Sequence, residues 1–178
     1  MKLSTRARYG LSCMISIARL SDESHPVSLK RVADSTGVSR RYLEQLALPL
    51  KAAGLLHGVS GRGGGYRLAR DAGTIRLREI VEATIGPISI VDCVADPGLC
   101  ERAESCENRL IYLLINDRIC EVLDEYTLAD LADFDRLSRL CLALGRDPSA
   151  VAGERRPDGV SELCLRILER QDDRTGPE

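Results

Sequence analysis

Apolar residues recur at helical spacing over most of the chain and predict a mainly α fold. Ser4 or Thr5 caps a first helix, in which Tyr9, Cys13, Ile17 and Leu20 line one side. Leu11, Met14, Ile15 and Ala18 fill the other side, so this helix is expected to be largely buried until His25-Pro26 breaks the pattern. Ser28 caps a short helix with Leu29, Val32 and Ala33 inward, and Gly37 supplies a turn. Ser39 caps a third helix running to about residue 53, with Leu43, Leu46 and Leu50 inward; Pro49 is expected to kink or shorten it, and Gly54 ends it.

Residues 55–70 change period and predict two short strands around a glycine turn. Leu77, Ile80, Val81, Thr84 and Ile85 mark a helix stopped by Gly86-Pro87, whereas residues 92–108 have no apolar period. A long helix follows, lined by Leu110, Ile111, Leu114, Ile115, Ile119, Val122 and Tyr126. Thr127 caps a short helix with Leu128 and Leu131, and Leu137, Leu140, Cys141 and Leu144 predict another, ended by Gly145. Residues 146–159 read as a linker, Val160, Leu163, Cys164 and Ile167 as a last amphipathic turn or two, and 171–178 as disordered.

Helix, glycine turn, helix and glycine-tipped hairpin, in that order, is the layout of a winged helix-turn-helix. Charge supports a nucleic-acid role for it. Residues 1–80 carry 14 Lys/Arg against 6 Asp/Glu, and residues 81–178 carry 11 against 21. A basic half joined to an acidic half separates a polyanion-binding module from one that avoids polyanions.

The third helix begins Ser39-Arg40-Arg41-Tyr42, followed by Leu43-Glu44-Gln45. Arg and Gln each form paired hydrogen bonds to one base edge in the major groove, and Glu accepts from cytosine. Arg62, at the hairpin tip, is placed to enter a narrow minor groove. Lys2, Arg6, Arg67 and Arg70 are expected to contact phosphates, which adds affinity without reading sequence.

Seven cysteines in a reducing compartment point to metal or redox chemistry rather than a disulfide scaffold. Cys93, Cys100 and Cys106 fall within one aperiodic stretch, with six and five residues between them. Thiolates favour zinc or an iron–sulfur cluster, and this spacing, wider than that of zinc knuckles, favours the cluster. Cys13, Cys120, Cys141 and Cys164 lie on apolar stripes and read as small core residues. His25 and His57 are the only histidines and neither pairs with a nucleophile in sequence, so an enzyme is not expected. The start of the chain lacks a signal-peptide pattern and no run reaches the roughly 18 apolar residues of a membrane span, which leads us to expect a cytoplasmic protein.

Several motifs together resemble the winged-helix regulator family that includes the iron–sulfur cluster regulator (IscR) and the nitric-oxide-sensing repressor (NsrR). They are Met1-Lys2-Leu3-Ser4 with Arg8-Tyr9, Tyr42-Leu43-Glu44-Gln45-Leu46, Gly63-Gly64-Gly65-Tyr66-Arg67-Leu68, the three cysteines, and Thr127-Leu128-Ala129-Asp130-Leu131. The resemblance covers about residues 1–133. It implies a homodimer joined through the long helix, here about 109–126. It also implies a 2Fe–2S or 4Fe–4S cluster on Cys93, Cys100, Cys106 and one non-cysteine ligand, and base readout by Arg41, Glu44 and Gln45.

Three positions depart from the family pattern. Arg109 stands where IscR has its histidine ligand, and Arg8 where the nitric-oxide sensor has a carboxylate. Asp92, Asp96, Glu104, Glu107 and Asn108 are then the nearby oxygen donors, with Glu104 or Glu107 preferred as the fourth ligand. Ser60 stands where the family often places an Arg before the first wing glycine, a role Arg62 is expected to take over.

The resulting division is 1–86 for the winged helix-turn-helix DNA-binding domain, 87–108 for the cysteine-rich cluster loop, and 109–133 for the dimerisation helix and the short helix after it. Residues 134–178 form an extension without an assigned role. The expected function is a dimeric regulator of a double-stranded DNA operator, controlled by an iron–sulfur cluster that senses redox state, iron or nitric oxide. The alternative is a cluster-free or thiol-sensing regulator of sulfur and cysteine metabolism on the same fold.

Overall fold

The computed structural model describes residues 3–22 and 25–148. Helix α1, Thr5–Leu20, starts at Ser4, whose hydroxyl accepts from the Ala7 amide at 3.1 Å. Its Ala7, Gly10, Cys13, Met14 and Ile17 are buried, and it runs through the middle of the core. Helix α2, Leu29–Thr36, is capped by Ser28, and Gly37 at φ 71° turns the chain towards α3, Arg40–Ala52. That left-handed conformation is disfavoured for a residue with a Cβ. Leu43, Leu46, Ala47 and Leu50 anchor α3 in the core.

Of the two outcomes expected at Pro49, shortening does not occur: the helix continues to Ala52, and the Pro49 carbonyl accepts from Ala53 at 2.9 Å.

Strands β1, Leu56–Val59, and β2, Gly65–Leu68, form the expected antiparallel hairpin, with Leu56 opposite Leu68 and Val59 opposite Gly65. Val27 pairs with the free side of β2 through two 2.8 Å bonds with Tyr66. A Cβ at position 65 would lie 2.4 Å from the Val27 carbonyl oxygen, so only glycine admits this pairing.

Helix α4, Leu77–Ile85, packs along α1 and ends at Gly86, as expected. The stretch from 92 to 106, aperiodic in sequence, contains a short helix α5, Asp92–Ala95, and 3-10 turns at Pro97–Leu99 and Ala103–Ser105. Such single turns are too short to display a hydrophobic period. The long helix α6 is Glu107–Glu125, and α7, Leu128–Ala132, returns to α1. There Leu128 is fully buried, and Arg19 donates to the carbonyls of Leu131 at 2.7 Å and Ala132 at 3.2 Å. Helix α8, Phe134–Ala143, packs on α7 and buries Cys141. Among the described residues no helix is long and apolar enough to cross a membrane. The readings of Lys2, of the last amphipathic turns with Cys164 and of the C-terminal tail lie outside the described residues.

The α1–α4 crossing depends on Gly10, where a Cβ would fall 2.5 Å from Cγ2 of the buried Thr84. Gly10→Ala should destabilise the fold by about 1–3 kcal/mol in chemical denaturation despite the better helix propensity of alanine. In a Thr84→Ser background, which removes that methyl, most of the loss should disappear.

Candidate nucleic-acid interface and cysteine loop

The α3 N-terminus and the wing share one side of the molecule. The Ser39 hydroxyl caps α3 by accepting from Tyr42 N at 3.4 Å. Arg40, Arg41, Glu44 and Gln45 are exposed. Arg40 and Glu44, one helical turn apart, form an ion pair at 3.0 Å. Arg41 makes no ion pair among the described residues. Tyr42 is half-buried, and its ring meets Tyr9 of α1 edge-on at 5.7 Å, which fixes the start of α3 against α1. A cleft of about 380 Å³ separates this end of α3 from the wing, lined by Ser28, Leu29, Lys30, Arg40, Glu44 and residues 64–66.

Ser60 and Arg62 are exposed in the wing turn, and Arg67 is half-buried on β2 opposite His57. Arg70, expected from the sequence to contact phosphates, is exposed beyond the hairpin. It pairs with Glu79 of α4 and donates to the Thr74 carbonyl at 3.1 Å. Burial pushes the Glu79 carboxyl up, but the Arg76 amide and Arg70 outweigh it and hold the group below the usual carboxylate range.

The three loop cysteines are not joined in disulfides; Cys93 and Cys106 are half-buried and Cys100 is exposed. Glu104 and Glu107 are exposed on the turn and helix start flanking Cys106. Among the described residues, no three Cys, His, Asp or Glu side chains are gathered closely enough to hold a metal ion. The Arg109 Nε donates instead to the Cys93 carbonyl at 2.9 Å.

The chain matches the family model Rrf2, described as an iron-dependent transcriptional regulator, over residues 3–133. The chain belongs to the Rrf2 family. It is 40% identical over 134 residues to the HTH-type transcriptional regulator CymR of Bacillus subtilis, covering 75% of this chain and 91% of that one. It is 34% identical over 133 residues to the transcriptional regulator IscR of Cronobacter sakazakii, covering 75% and 81%. A solved structure of CymR, named as the global cysteine regulator of B. subtilis, superposes with a TM-score of 0.62 at 40% identity, covering 75% of this chain and 98% of that one. This Rrf2 chain is a DNA-binding transcription regulator, and the relatives it matches are regulators, not enzymes.

Three accessible thiols in one loop suit a soft metal cluster chemically. Their arrangement in this Rrf2 chain does not form a ready-made site, because the thiols do not converge and a cation, Arg109, stands where the resemblance puts the fourth ligand.

Three contacts escaped the sequence reading. The spacing of Arg40 and Glu44, four apart on a helix, could have revealed their ion pair. Lys30 beside the wing and the Arg109–Cys93 bond join residues with no periodic relation and left no signal in sequence.

Thiol reactivity should follow burial. Burial pushes the Cys13 thiol up to about 12 and keeps it unreactive, whereas Cys100 is exposed. Brief alkylation of the native protein, read by peptide mass, should label Cys100 first and leave Cys13 unlabelled until the protein is denatured.

Proposed function

We propose that this Rrf2 chain acts as a homodimer on a double-stranded DNA operator, and that the state of its cysteine loop sets operator affinity. The observation that carries the reading is the double attachment of α6. Its first turn holds the cysteine loop through Arg109, and its outer face exposes Leu110 (70%), Leu114 (51%) and Val122 (51%) in an apolar stripe. Such a stripe is suited to bury itself against a second copy of the helix.

In this reading α3 enters the major groove with Ser39, Arg40, Arg41, Tyr42, Glu44 and Gln45 at its leading end. The wing brings Ser60 and Arg62 to the adjacent groove, with Lys2 and Arg67 on the backbone. Arg41→Ala should cost about 1–3 kcal/mol of operator affinity and relax base preference at one position per half-site, measured by anisotropy against operator and single-base variants.

An iron–sulfur cluster held by Cys93, Cys100 and Cys106, with Glu104 or Glu107 as the oxygen donor, is the loop ligand we favour. Soft thiol chemistry, the iron-dependent description of the family and the similarity to IscR support it. When bound, such a cluster would supply chemistry sensitive to oxidants, iron supply or nitric oxide. The cluster-free reading, a thiol-sensing regulator of sulfur or cysteine metabolism, draws on the Arg109–Cys93 bond and on the similarity to CymR.

Iron and acid-labile sulfide measured on anaerobically purified protein separate the two. Stoichiometric iron and sulfide, with operator affinity that changes on chelation, is the expected result. Protein without iron whose operator affinity responds to thiol oxidation supports the second reading. An affinity indifferent to both treatments removes the proposed control altogether.

A further inference from the structure

Two groups of polar bonds join α4, the residues leading into the cysteine loop, and α6. Arg78 on α4 pairs through Nε with Glu82 Oε1 at 3.0 Å and through Nη1 with Asp124 Oδ2 of α6 at 3.0 Å. The same Glu82 oxygen accepts from the Ile88 amide at 3.5 Å. Deeper in the contact, the side chain of Asn116 on α6 is buried; its Oδ1 accepts from the Ile90 amide at 3.2 Å, and its Nδ2 lies 3.9 Å from Cys120 Sγ.

The composition of the contact gives these bonds their weight. Asn116 and Cys120 are the most buried residues of α6, and Leu123, the side chain this helix packs against the core, is only partly buried. Apolar packing tolerates a small rotation, whereas a buried amide bonded to one backbone N–H does not, because losing the bond leaves a buried polar group unsatisfied. Beyond the contact, α4 lies against α1 and α3, so its orientation is fixed relative to the recognition end of α3. The angle between α4 and α6 therefore determines where each recognition helix of a dimer points.

We infer that Arg78 and Asn116 are positioning residues that set this angle, and with it the half-site spacing the dimer accepts. Neither touches DNA in this account. The Arg78 ion pairs are partly exposed and individually contribute little stability, so their loss should alter orientation rather than folding. The inference rests on the dimeric reading above.

The experiment uses the full chain and duplexes carrying two copies of a selected half-site, with the centre-to-centre distance varied one base pair at a time around one helical turn, about 10–10.5 bp, and its multiples. The wild type should show a sharp optimum. Arg78→Gln and Asn116→Ala should broaden or shift it, weakening binding at the wild-type optimum by about tenfold, within the usual range of coupling between sites. Affinity for a single half-site and the melting temperature of the Arg78 variant should stay near wild type, and Arg78→Lys, which can still reach a carboxylate, should restore part of the optimum.

Sedimentation separates the possible failures. A monomeric wild type bound to DNA overturns the dimer and this inference with it. A dimer whose Arg78→Gln and Asn116→Ala variants keep the wild-type optimum overturns the inference alone, as does an equal loss of affinity for single half-sites and full operators.

Discussion

The close approach of α1 and α4 at Gly10 and Thr84 governs the positions of both ends of the molecule. A helix crossing this tight needs a residue without a Cβ, and position 10 provides it. From the same helix, Cys13, Met14 and Ile17 enter the core shared with Leu43, Leu46 and Leu50 of α3. Tyr9 braces Tyr42 at the start of α3, and Arg19 holds the carbonyls at the end of α7. One buried helix thus carries α3, the proposed recognition helix, on one side and, through α4, the support for α6 on another. The α4–α6 contact is crossed by the ion pair of Arg78 with Asp124.

The exposed end of α3 resolves an electrostatic conflict. A carboxylate such as Glu44 is repelled by DNA phosphates, yet it is a side chain suited to accept from cytosine. The ion pair with Arg40 offsets the charge of Glu44 and restricts its rotamers before DNA arrives. The pair is exposed and adds little to stability. Its effect is on the charge that the helix presents, leaving Arg41 as the uncompensated cation beside it.

Much of this architecture was legible in the sequence because local rules decide it. Ser4, Ser28 and Ser39 all cap helices, Gly37 and Gly86 stop them, and the hairpin falls on the glycine-rich stretch. What was not legible is long-range or counter to a local rule. Pro49 lies inside α3 without ending it. The stretch around the cysteines carries single helical turns too brief to mark a period. Arg70 also meets Glu79, nine residues on, and no spacing rule connects that pair, Arg78 with Asp124 or Asn116 with Ile90. The motifs around the three cysteines pointed to a ligand class, but whether three thiols converge depends on loop conformation rather than residue type.

The Arg109 bond narrows how that loop can communicate. It grips the backbone carbonyl of Cys93 and not its sulfur, so it does not consume the thiol whose chemistry the loop is proposed to use. The Ile90 amide is likewise held through its backbone by Asn116. Both ties fasten the chain on either side of residues 91–92 to α6, leaving the sulfurs of Cys93, Cys100 and Cys106 outside the anchoring. Under the proposed function, a change at those sulfurs that pulls the loop closed would strain two hydrogen bonds that end on α6. Because Arg78 ties α4 to Asp124 of α6, that strain would reach the junction which, in the dimeric reading, orients the proposed DNA-binding face.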